Sequence, residues 1–74
     1  MFEYDQDIVE VLLNDNEQFQ ALYREHNTLK EKVRDAEHGV LPLDALSLGT
    51  MKKEKLLAKD KMAALIEQYR REHA

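Results

Sequence analysis

The 74-residue chain contains no cysteine, no tryptophan, one proline, two glycines and only five aromatic side chains. The missing cysteine excludes a disulfide scaffold, thiol redox chemistry and any Cys-containing zinc site, and it suits a reducing compartment. No apolar run approaches the roughly 20 residues needed to cross a bilayer. The opening stretch "MFEYDQDIVEVLLNDNE" is acidic where a signal peptide would be basic. These absences predict a cytoplasmic protein with no membrane contact. Strand signals are also lacking, and one Pro and two Gly leave little to interrupt helices. So short a chain has a thin core, and below roughly 70–80 residues the remaining supports are a metal, oligomerisation or very regular helix packing.

Base is missing from one region altogether. Residues 1–18 hold six acids (Glu3, Asp5, Asp7, Glu10, Asp15, Glu17) and no Lys or Arg, so the remaining residues carry eleven bases against nine acids. The net charge of −4 argues against general nucleic-acid affinity, which rests on phosphate neutralisation. An acidic head is followed by a mildly basic body.

The segment "EHGVLPLD" is the one clear connection. Gly39 suits a left-handed helix C-cap, Pro42 the first turn of a following helix, and Asp44 a place near that helix's N-terminus. A second weak point falls at "LLNDNEQF", where Asn14, Asp15 and Asn16 are good caps and poor interior residues, and Asn14 with Glu17 fits a capping box. The expected elements are an acidic helix over about 5–13, a helix over about 16–38, a loop over about 39–42 and a helix over about 43–72, with a break or kink near residues 14–16.

Spacing carries the strongest signal. Phe19, Leu22, His26, Leu29, Val33 and Ala36 follow a 3, 4, 3, 4, 3 pattern, and Ile8 and Leu12 continue its phase upstream. Across the loop, Leu48, Met51, Lys55, Ala58, Met62, Leu65 and Tyr69 repeat it. Two such seams joined by a short loop predict an all-α fold, an antiparallel two-helix hairpin of coiled-coil type. Facing positions in an antiparallel pair have numbers that sum to a constant. A sum of 84 sets His26 against Ala58 and Leu22 against Met62, with Lys32 near Glu54 and Glu25 near Lys61 on one flank. On the other flank, Lys30 lies near Lys52.

"FQALYREHNTLKEKV" (19–33) followed across "LPLD" by "MKKEKLLAKDKMAAL" (51–65) resembles the YdcH family of small bacterial proteins, whose members have no assigned activity. The resemblance covers most of the chain. It implies a helical hairpin, a cytoplasmic location and coiled-coil character, and it implies no catalytic residue. Where family members tend to carry a leucine in the "KL.LKD" pattern this chain has Ala58, which thins the layer against His26.

Candidate chemistry is sparse. His26 is the one imidazole on the seam, while His38 and His73 lie at the loop and the C-terminal end, so no metal-ligating set forms around it; its expected role is a half-buried residue that fixes register. Ser47, Thr28 and Thr50 lack a base at suitable spacing, and no Gly-rich phosphate loop occurs. No enzyme, cofactor or metal is expected. Lys52, Lys55 and Lys59 fall within about 60° on a helical projection at ~100° per residue, and with Lys30 beside them they form a candidate basic edge. The chief alternative to a binding role is that Lys55 lays its stem across Leu29 and lifts its charge to water.

More apolar side chains are present than the seam uses. Leu56, Leu57, Ala63 and Ile66 lie off it, Leu57 at the back, and a helix apolar on more than one face is buried on more than one face. Either the first segment, with Phe2, Ile8, Val9, Leu12 and Leu13, folds onto that surface, or a second copy covers it and makes a four-helix dimer. The expectation favours self-association, with a dimer presenting a helical surface to an unidentified protein partner; a small nucleic-acid or anion binder using the lysine edge is the alternative.

Overall fold

The computed structural model describes residues 3–73, leaving Phe2 outside the described residues. A single 3-10 turn, Glu3–Asp5, leads into three helices: α1 (Gln6–Asp15), α2 (Glu17–Glu37) and α3 (Ala45–Glu72). The fold is all-α, and the described residues include no strand.

Each boundary has a local cause. The break near residues 14–16 falls at Asn16, whose extended backbone interrupts the helix and whose side chain accepts the Phe19 N–H at 2.8 Å. Asn14 and Asp15, the other capping candidates, stay inside α1. The difference follows from position: a cap accepts from the N–H two or three residues on, and Asn16 reaches the first seam residue of α2. At the far end of α2, Gly39 adopts φ +77°. The Val40 N–H reaches the Asp35 carbonyl at 2.9 Å and the Gly39 N–H reaches that of Ala36 at 3.2 Å, the paired bonds of a Schellman ending. Pro42 stands before the third helix and not in its first turn. Asp44 caps α3 by accepting the Ser47 N–H at 2.7 Å, so α3 starts at Ala45.

On α2 the seam is buried as the spacing predicts over Phe19, Leu22, His26, Leu29 and Val33, and only half-buried at its last member, Ala36. Their partners on α3 are Ala58 and Met62, joined by a residue the seam did not include, Ile66, at 3% exposure. The reason is α1. It packs on both α2 and α3, and its Val9 and Leu12 enter one buried cluster with Phe19, Leu22, Ala58, Met62 and Ile66. The expected two-helix hairpin thus has a third helix packed on it at this end, and of the off-seam residues of α3 Ile66 is covered within the chain while Leu56 and Leu57 stay exposed. Polar fastenings hold the same corner. The Gln20 side-chain amide donates to the Leu13 carbonyl at 2.6 Å, and the Arg70 guanidinium donates to Asp5.

Cover is uneven along the molecule. With 1.5 Å per residue, α3 is about 42 Å long and α1 about 15 Å, against a longest dimension of 45 Å. Leu29 and Val33 are buried by α2 and α3 alone, outside the cluster that α1 completes. Toward the loop, Val40 and Leu46 are 73% and 80% exposed.

If α1 is part of the packed structure, deleting side-chain volume from its inner face must destabilise the whole fold. Leu12→Ala and Ile66→Ala are each expected to lower unfolding free energy by about 2–4 kcal/mol, and Asn16→Ala by about 1 kcal/mol. Urea unfolding followed by circular dichroism checks this. Leu12→Ala without effect would mean that α1 does not pack in solution.

Candidate interaction surface

Hydrophobic spacing places His26 on the inner face of α2, where it is 7% exposed, and the α2–α3 pairing sets it among lysines. The side chains of Lys30 on its own helix and Lys55, Leu56 and Lys59 on α3 line one groove with it. Its Nδ1 is buried without a hydrogen-bond partner. Burial first, then the positive charges of Lys55 and Lys30, with a smaller part from Lys59, push the imidazole below its ordinary value of 6.5; a hydrogen bond with the Asn27 side chain opposes them. His26 is therefore a neutral side chain at neutral pH, kept so first by its burial and then by the cations around it.

Three of the four candidate lysines come together in this way. Lys52 stands one stretch further along the groove, where its ammonium meets the Glu37 carboxylate at 2.8 Å. The same contact holds Glu37 below its usual carboxylate range. Lys55 is half-buried and Lys30, Lys52 and Lys59 are exposed, so the edge consists of a solvated rim and one inward lysine. Neither Lys32 with Glu54 nor Glu25 with Lys61 forms an ion pair within 4.0 Å; the flank contact that does form is Lys52 with Glu37. Its signal was the acid closing α2 opposite the first lysines of α3.

The four off-seam residues part company. Leu56 and Leu57 are 58% and 53% exposed and Ala63 is exposed. Ile66 is buried against α1 and is unavailable as a contact surface, which corrects its place among the interaction candidates. Leu56 turns toward the lysines, whereas Leu57, one residue on and about 100° round the helix, lies on the back.

Beside Leu56, the groove between α2 and α3 has a volume of about 680 Å³ and carries Val33, Lys30, Lys52 and Lys55 along its walls. It joins apolar floor to cationic rim, which is the chemistry of a surface that receives an amphipathic, negatively charged element. Among the described residues no three His, Asp or Glu side chains converge as metal ligands. No described helix is long and apolar enough to cross a membrane.

Residues 19–66, the span from the first seam phenylalanine to the buried isoleucine, match the model of a family described as "Protein of unknown function (DUF465)". The chain belongs to this family, of which YdcH is a member. The match takes in α2, the loop and most of α3, including the whole lysine-lined groove, and leaves α1 outside it. No curated protein and no solved structure matches the chain.

A lowered imidazole has a definite consequence for stability. The unfolded chain takes up the proton near pH 6.5 while the folded chain resists it, so the contribution of His26 is complete above pH 6.5 and is lost as pH falls through that value toward the lower folded one. His26→Leu is expected to raise unfolding free energy by about 1–2 kcal/mol by removing an unpaired buried polar atom. It should also flatten the fall in stability between pH 7.5 and 5.5. Parallel urea titrations of both proteins across that window check the sign; equal slopes would show that His26 titrates as in water.

Proposed function

We propose that the chain is a non-enzymatic protein-interaction or structural module that self-associates through helical surfaces and works in the cytoplasm, the compartment its cysteine-free composition suits. The observation that carries this reading is the exposure of leucines on α3. Leu46 and Leu57 are exposed and eleven residues apart, close to three helical turns, so they share the back face, with Ala64 in phase a further seven residues along. Leu56 marks the separate groove surface. One face is available to a second copy, the other to a different protein.

The polar groups support the same reading. His26 has no hydrogen-bonded acid or nucleophile at its Nδ1 and is surrounded by cations. A general base needs the reverse, a geometry that hands it a proton and a neighbour that stabilises the charge it gains.

A nucleic-acid or anion-binding role is favoured by one observation, the convergence of Lys30, Lys55 and Lys59 on a single groove. Against it stand the engagement of Lys52 by Glu37, a second groove acid, Glu31, and the overall charge of −4.

Self-association is read directly by sedimentation equilibrium. A dimer is expected on the order of 10–100 µM, a range of weak protein pairing, and Leu57→Glu on the back face should shift it to monomer without loss of helix. A monomer throughout that range removes self-association from the proposal.

A further inference from the structure

The berth that α1 occupies does not end where α1 ends. His26, Asn27 and Lys30 line the crevice in which α2 meets Gln6 and Val9 of α1, and the same three side chains continue into the open groove between α2 and α3. Along α3 the groove runs from Lys52 to Lys59, about two helical turns. Its floor is apolar, with Val33 buried and Leu56 exposed at 58%. Five cations line it, Lys30, Arg34, Lys52, Lys55 and Lys59, against two acids, Glu31 and Glu37. The local balance is +3 in a chain whose total is −4.

The element already seated on this pair of helices offers a comparison, held by its apolar face and by one ion pair at its start. α1 presents Val9 and Leu12 inward, with Ile8 and Leu13 half-buried beside them, carries acids and no base, and is preceded by Asp5, which pairs with Arg70. It is an acidic amphipathic helix, and it covers only the end of α3 nearest the break.

We infer that the open groove is the docking site for a second acidic amphipathic helix, supplied by a partner protein, which continues the layer that α1 begins. The inference rests on the interaction-module reading and adds the partner's chemistry to it. The partner's apolar positions, spaced i, i+3, i+4 and i+7, meet Leu56 where it stands over the buried Val33, and its flanking carboxylates meet Lys30, Lys55 and Lys59. A second copy of this chain does not fit here. Two-fold pairing of this face sets each lysine cluster against its own counterpart, and the acidic helix that a copy carries has its apolar face already buried, with Val9 and Leu12 at 5% and 6% exposure.

His26 at the groove wall serves as an internal reporter. Carboxylates seated among Lys30, Lys55 and Lys59 offset the positive field that adds to burial in disfavouring the imidazolium, so docking raises its affinity for protons. The test uses the full chain, isotopically labelled, in NMR titrations with three probes: a synthetic peptide of about 18 residues with leucines at the spacing above and glutamate flanks, the same peptide with lysine flanks, and duplex DNA. The glutamate peptide is expected to move the Val33 and Leu56 methyl signals and raise the His26 pKa. Leu56→Glu and Lys59→Glu should each weaken it roughly tenfold, with Leu57→Glu on the back face leaving it unchanged. Equal binding of the two peptides, or an affinity unaltered by Leu56→Glu, overturns the inference. So does retention of DNA alone with a steep salt dependence, which assigns the groove to phosphate. If the glutamate peptide fails while the Leu57-dependent dimer persists, the partner's chemistry is wrong and the module reading stands; failure of both removes both.

Discussion

Asn16 leaves helical geometry at φ −120° and ψ 109°, gives its N–H to the Leu12 carbonyl at 2.9 Å and accepts the Phe19 N–H on its side chain at 2.8 Å. One residue thus ends α1 and starts α2, satisfying the Leu12 carbonyl on one side of the joint and the Phe19 N–H on the other. The direction of α1 depends on that turn. Were residues 6–37 one continuous helix, the same facing sum would carry Leu12 to the last residue of α3 and Val9 beyond it, and Ile66 would lose the cover of α1. Gln20 reaching back to the Leu13 carbonyl and Arg70 to Asp5 secure an arrangement that the cap makes possible.

From this joint the molecule grades from three layers to two. Near Asn16, Phe19 and Met62 are fully buried. Toward the loop the seam residues Leu48 and Met51 are only half-buried, and the surface gathers charges. Cooperative units with fewer buried apolar contacts open at lower free energy, which places the more labile end of the hairpin at the loop. His26 sits on the boundary. It belongs to the inner face by spacing and to the lysine groove by surroundings, and a leucine there would improve packing while discarding the imidazole that stands among Lys30, Lys55 and Lys59.

The α2 seam was legible in the sequence because a single helix declares its inner face by spacing, and no later contact altered that face: Phe19, Leu22, His26, Leu29 and Val33 are buried as their periodicity requires. The break near residues 14–16 was legible as a cluster of capping residues, though not the choice of Asn16 over Asn14, which turns on one backbone conformation. Less could be read from α3. Its apolar residues point in several directions, and periodicity says that Ile66 needs cover without saying whose. The answer depended on the angle at Asn16, a property of the joint and not of either helix. Long side chains were hardest to place. Spacing set Lys30 near Lys52, and it did not show that Lys52 pairs with Glu37, at the end of α2.

Leu56 and Ile66 began as equivalent surplus residues on one side of α3, and they ended apart, one at 58% exposure and the other at 3%. Composition does not separate them. They are ten residues apart, about 15 Å along the axis, and α1 is itself about 15 Å long, so a helix that covers Ile66 and is tethered at Asn16 has limited reach toward the loop. Extending it would place more of the acidic head beside Lys30 and Lys55 and close the groove from within. As built, the chain provides its own third helix where the core needs completing, and that helix reaches Lys30 but not Lys52, Lys55 or Lys59, leaving Leu56 beside a cationic rim whose charge is not matched by the acids next to it. An exposed leucine alone is an ordinary surface feature. An exposed leucine in a groove of net positive charge, end to end with a berth already filled by an acidic helix, has a specific kind of complement.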